Sequence, residues 1–301
     1  MNINVINQII ILTIMMLVGV GLRKTKIVTD EVEKGLSSIL MNLTLPCMII
    51  YSFNFSFSIN MLKKAVLILF YSIGIHIFLI ILSKIAYFKL KDSKKSVFTF
   101  ATVFSNCGFV GFPIVQGVFG NIGVFYTSVF TIPFNIFMWS YGVMLFTGER
   151  NLKSIKKNLM NPPLMCTLLG VAIFLFSIKL PVPVLNTLRS IGNMTTPIAM
   201  FIVGSMLANV KLKEVFKGGD IYYLNFVKLI AAPMLVYFIL LILGCNRTLL
   251  YICVIMVAMP TASLIGVFAE RYNGDRVSAS KSAFLTTVLS VITIPVIMSI
   301  V

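Results

Sequence analysis

A chain of 301 residues that is 58% hydrophobic and only 11% charged, with mean hydropathy +1.00, falls outside the soluble globular class, where about a quarter of residues are charged. Its net charge of +16 invites a nucleic-acid partner, but the basic residues sit in short stretches between apolar runs with no interleaved aromatics, so no nucleic acid is expected. One histidine and the scattered Cys47, Cys107, Cys166, Cys245 and Cys253 offer neither a zinc set nor a C-x-x-C pair; no metal and no cofactor are expected.

The first apolar run, near 4–22, lacks a basic leader and an A-x-A site, and reads as a membrane span rather than a signal peptide. Runs of about 20 residues, enough to cross a bilayer, follow near 35–54, 64–88, 95–119 and 122–147, the last two parted only by "GNIG". Five more lie near 159–179, 187–208, 221–244, 249–269 and 278–300. The expectation is an all-α membrane protein of ten transmembrane helices. Charge tests that count, because cytoplasmic loops concentrate Lys and Arg. Of the 25 basic residues, 19 fall after odd-numbered spans, 5 after even-numbered ones, and Lys228 lies within a span. Odd-numbered loops, including "KDSKK", are therefore expected in the cytoplasm, with both termini outside and the chain in the cell membrane, in contact with the lipid bilayer. No Asp or Glu lies in the middle of a span.

The second span contains "LSSILMNLTLPCMI" and the seventh "LRSIGNMTTPIAMF". Both carry N-x-T-x-P, as Asn42, Thr44, Pro46 and as Asn193, Thr195, Pro197, offset by 151 residues. Five spans separate the copies, so the second half must be inverted relative to the first. The domains expected are thus 1–150 and 151–301, two inverted five-helix repeats. Inverted repeats with Pro- or Gly-interrupted spans at matching places mark secondary transporters.

The fourth span is interrupted by "SNCGFVGFPIVQGVFG", with Asn106, Gly108, Gly111 and Pro113. Its counterpart, the ninth, has Pro260 mid-span, followed by Thr261 and Ser263. Broken backbone survives in lipid only inside protein or beside a cavity. Freed carbonyls and helix ends at two matching breaks suit a binding site, the positive N-terminal ends favouring an anion. The substrate-binding candidates are Asn106, Gly108, Gly111, Pro113, Pro260, Thr261 and Ser263, with Asn42 and Thr44. Asn106 can equally act as glue between helices, and Thr261 and Ser263 can bond back to their own helix. Two ionisable residues lie within spans: His76, a proton-coupling group or a neutral imidazole held by a carbonyl, and Lys228, a snorkelling side chain or a buried cation.

These motifs resemble the auxin efflux carrier family, which includes plant auxin exporters and bacterial malate-permease-like transporters. "NCGFVGFPI" is similar to the family's N-x-G-[hydrophobic]₂-G-x-P element. "MPTASLIGVFAERYNGD" is similar to its M-P-x…F-A-x-x-Y-[GN] element, through Pro260, Phe268, Ala269, Tyr272 and Asn273, and "LTLPCMI" to its L-x-L-P element. The resemblance implies a scaffold of spans 1, 2, 6 and 7, usually dimeric, and a transport unit of spans 3–5 and 8–10 with broken helices 4 and 9 crossing. It implies elevator-like secondary transport of a small organic anion, such as a carboxylate contacted by Asn106. The short "TGERNLKSIKKN" between the halves implies no loop-based regulation of the plant kind. Without paired carboxylates or a base beside a nucleophile, an enzyme is not expected. A channel or a non-transporting receptor of the same fold is the alternative. Coupling is left to His76-linked protons, sodium held by backbone, or uniport.

Overall fold

The computed structural model describes residues 3–148, 160–208, 219–272 and 274–301. The loops carrying Arg150, Lys153, Lys156, Lys157, Lys211, Lys213 and Lys217, and Asn273 of the ninth-span motif, lie outside the described residues. Among those described there is no strand, and the one isolated β-bridge pairs Ser105 with Thr261 in antiparallel sense.

The helices are, in chain order, α1 (Ile3–Lys24), α2 (Asp30–Ile39), α3 (Leu45–Ser52), α4 (Ile59–Ala86), α5 (Asp92–Val103), α6 (Phe112–Phe137) and α7 (Val143–Thr147). After them come α8 (Pro162–Leu175), α9 (Val182–Asn193), α10 (Thr195–Ala208), α11 (Gly219–Phe226), α12 (Ala232–Ile242), α13 (Arg247–Ala258), α14 (Leu264–Arg271) and α15 (Arg276–Ile300). Wider π-helical turns join several of them: Leu40–Thr44, Cys107–Gly111, Met138–Gly142 and Val227–Ala231. Three of these turns are followed two residues later by a proline, Pro46, Pro113 and Pro233. Each such ring would clash with the carbonyl four residues back, at Asn42, Phe109 or Leu229, and that carbonyl lies inside the turn. Widening the turn relieves the clash without ending the helix.

Six helical stretches among the described residues are long and apolar enough to cross a membrane: Asp30–Ser52, Ile59–Ala86, Cys107–Thr147, Val182–Ala208, Gly219–Ile242 and Arg276–Ile300. Pro162–Leu175 and Arg247–Ala258 are apolar but shorter. Part of the difference from the expected ten is local. The fourth and ninth spans each leave the helix part-way, so α5 and α13 are only 12 residues long. In the other direction, the fourth and fifth spans run together as one stretch. Gly120, with φ 60° and ψ −148°, breaks it beside the "GNIG" join; only Gly takes that backbone without a Cβ penalty. On α4 the exposed Val66, Phe70, Ile77, Ile81 and Ile85 recur at helical spacing and form an apolar stripe suited to acyl chains.

The chain forms two compact units, each drawing on both halves of the sequence. The first comprises residues 1–69, 108–132 and 160–209. Here α1 and α10 approach backbone to backbone, because a Cβ on Gly19 would meet the Phe201 backbone and one on Gly204 the Met16 carbonyl, the small-residue packing of membrane helices. Phe53 packs on Phe125 and Phe125 on Phe174, with centroids 4.7 and 5.1 Å apart, over Gly170, whose missing side chain leaves room for the Phe53 ring.

The second unit comprises residues 70–107, 133–159 and 210–301. Its core is aromatic: Phe100 contacts Phe104, Phe146 and Phe268, and Trp139, the chain's single tryptophan, lies 5.4 Å from Phe268. Lys94, at the start of α5, forms an ion pair with Asp220 at the start of α11.

Candidate functional site: a crossing of two broken helices

In the second unit α5 ends at Val103, and Phe104 turns extended (φ −107°, ψ 109°). Likewise α13 ends at Ala258, and Met259 turns extended (φ −60°, ψ 149°) ahead of Pro260. The sequence dictates the second break, since Pro260 disfavours helix at the residue before it and has no N–H to donate. The two extended pieces then satisfy each other. Asn106 N–H donates to Pro260 O at 2.7 Å, and Ala262 N–H donates to Phe104 O at 2.9 Å. Groups that would be orphaned in an apolar interior are thereby paired, as a buried break requires.

Side chains lock the crossing. Thr261, 1% exposed, donates its hydroxyl to Ala101 O at 2.6 Å, and its N–H donates to Thr286 Oγ1 at 3.1 Å. The Asn106 carboxamide, 5% exposed, donates from Nδ2 to Ser263 Oγ at 3.0 Å, joining the residues that follow the two breaks. The candidates Asn106, Pro260, Thr261 and Ser263 therefore come together. Of these, Thr261 has committed both its polar groups to the crossing itself.

Asn42, Thr44, Gly108, Gly111 and Pro113 belong to the first unit and take no part in these bonds. Asn42 is exposed and donates back to Ser38 O at 2.9 Å and Ser38 Oγ at 3.2 Å. Thr44 is fully buried, and its hydroxyl has no hydrogen-bond partner among the described residues; Thr195, its counterpart in the second N-x-T-x-P, is the same. Gly108 and Gly111 lie in the π-turn Cys107–Gly111, and Pro113 is the second residue of α6.

Lys228 does not snorkel. It is fully buried in the turn Val227–Ala231, and its Nζ donates to Ser105 Oγ at 2.7 Å, Val257 O at 3.2 Å and Thr102 O at 3.3 Å. His76, on α4 and 2% exposed, bonds through Nδ1 to Ser72 O at 2.6 Å. Its ring stacks on Phe137 at 5.5 Å and meets Phe134 edge-on at 5.8 Å. A carbonyl can only accept, so Nδ1 carries a proton and Nε2 is the nitrogen at which charge can change. Ser105 and Thr286 are the polar members of the crossing that the sequence reading missed. Ser105 opens the stretch that contains Asn106, whereas nothing in the sequence distinguishes Thr286 from any hydroxyl inside an apolar run. Among the described residues no three His, Cys, Asp or Glu side chains cluster.

The family model described as "Membrane transport protein" matches residues 4–153 and again 149–298. The chain belongs to this family, that of the auxin efflux carriers. The model thus matches the chain twice, once over each half. An uncharacterized transporter of Methanocaldococcus jannaschii is 26% identical over 298 residues, 95% of each chain. An uncharacterized transporter of Methanothermobacter thermautotrophicus is 27% identical over 213 residues, 68% of each. A Rhizobium meliloti protein named "Putative malonate transporter" is 29% identical over 135 residues, 44% of this chain and 42% of that one. The chain is thus a multi-pass membrane protein of a transporter family.

Proposed function

We propose that this transporter is a secondary carrier of a small organic anion, with a carboxylate bound beside the crossed breaks. The observation that carries the reading is the Asn106–Ser263 pair, a neutral carboxamide and a hydroxyl held at the two breaks. A carboxylate entering there would take the Asn106 Nδ2 donor from Ser263 and accept the Ser263 hydroxyl. These are charge-assisted bonds, stronger than the neutral one they replace. The name of the Rhizobium meliloti relative supports a dicarboxylate as the first anion to try.

The finer architecture belongs to the same proposal: ten spans, two inverted five-helix repeats, a scaffold of spans 1, 2, 6 and 7 forming a homodimer, and elevator movement of the remaining spans. So do the cell membrane as location, both termini outside, no enzymatic activity, and a coupling proton entering through His76. Asn106 and Ser263 are the ligand groups, Thr261 and Pro260 shape the crossing, and Gly108, Gly111 and Pro113 set the course of the chain just after Asn106.

Counter-flow of radiolabelled malonate in proteoliposomes, against a panel of other carboxylates, tests the proposal. Saturable exchange is the expected result. Conductance far faster than carrier turnover would make it a channel, and binding without flux a receptor.

A further inference from the structure

The bonds around Lys228 form a cation site, and nothing in the family assignment explains them. Two of the acceptors, Thr102 O and Val257 O, are carbonyls in the last turns of α5 and α13, the two half-helices that stop at the crossing. Helix C-terminal ends carry partial negative charge and unpaired carbonyls. Two of them converging in an apolar interior demand a positive partner. In carriers with broken helices, such ends and unwound carbonyls are where a coupling sodium ion is held. Here the partner is a side chain. An ammonium has three N–H donors, and Lys228 meets three oxygens, those of Thr102, Ser105 and Val257, at 2.7 to 3.3 Å. A neutral amine has one donor too few for that set. No described carboxylate forms an ion pair with it. The wide turn imposed by Pro233 is where the sequence places this residue.

We infer that Lys228 is a built-in cation occupying the place of a monovalent metal ion at the helix crossing, so that the protein needs no sodium there. Removing the ammonium while leaving the oxygens turns the place into a site for sodium or another small cation, with water completing the shell. The inference concerns the crossing itself and holds whichever anion is carried.

The test is thermal unfolding of the purified full-length protein in sodium, lithium or methylammonium chloride against choline chloride at equal ionic strength. The natural protein is expected to show no saturable dependence on the cation. Lys228→Ala is expected to melt several degrees lower in choline and to regain most of that loss, saturably, in sodium or methylammonium. Lys228→Met fills the space without charge, and is expected to stay destabilised in every salt. Saturable stabilisation of the natural protein by sodium would overturn the inference. So would Lys228→Ala that melts alike, or fails to fold, in every salt, and so would Lys228→Met as stable as the natural protein.

Discussion

Asn106 offers an anion a donor without a charge of its own, and that suits a carrier that must also release its cargo. Its Nδ2 donates to the Ser263 hydroxyl, and a carboxylate is a better acceptor than that neutral oxygen. Hydrogen bonds to charged groups contribute about 1.5–3 kcal/mol, so Asn106→Ala should weaken malonate binding roughly tenfold or more while the protein still folds. Titration of the melting temperature with malonate checks this, and unchanged affinity would return Asn106 to a purely structural role. His76 makes a second prediction. Transport in proteoliposomes should respond to an imposed pH gradient, and His76→Gln, which cannot hold the charge, should lose that response yet keep exchange. A fully pH-coupled mutant would make the stacked ring on Phe137 a packing element. Both residues were legible in the sequence because an amide or an imidazole inside an apolar run is costly and rare. The fate of Lys228 was not: snorkelling and burial depend on which way the helix faces, and spacing does not say. Thr286 was silent for another reason, since a hydroxyl inside a helix bonds its own carbonyls by default.

At the level of elements, the crossing behaves as one object made from two interruptions. Each break alone would strand backbone groups; together they form a two-bond bridge, stapled by Thr261 to α5 and α15. Thr261→Val keeps the shape but leaves the Ala101 carbonyl without that hydroxyl. Leaving such a buried acceptor unsatisfied costs about 1–3 kcal/mol, and the melting temperature should fall accordingly without a selective loss of substrate affinity. A change confined to affinity would instead make Thr261 a ligand. The breaks were readable because Gly and Pro punctuate helices. The four π-turns were not, although three of them lie just ahead of a proline. A proline announces a disturbance, and packing decides whether it becomes a kink, a stop or a widened turn.

For the molecule as a whole, N-x-T-x-P suggested a duplication, with which the two family matches over 4–153 and 149–298 are compatible, but the partition into compact units was not visible. Periodicity reports that a face is buried, never which neighbour buries it, and here each unit borrows from both halves of the chain. Orientation rests on charge alone. In a background lacking native cysteines, one cysteine at Lys91 should react with an impermeant reagent only from the cytoplasmic side, and one at Lys179 only from outside. Labelling of both from the same face would end the ten-span topology. Trp139 adds a consequence of a different kind. As the single indole, buried at its Nε1 without a hydrogen-bond partner among the described residues and lying against Phe268 of α14, the helix that leaves the second break, it is an intrinsic optical reporter placed by the fold. Its emission should be blue-shifted in the resting protein. Adding malonate, on the proposed function, should alter intensity or wavelength to a saturable end point, with a midpoint equal to that from thermal titration, so substrate binding can be followed in solution without attaching any dye.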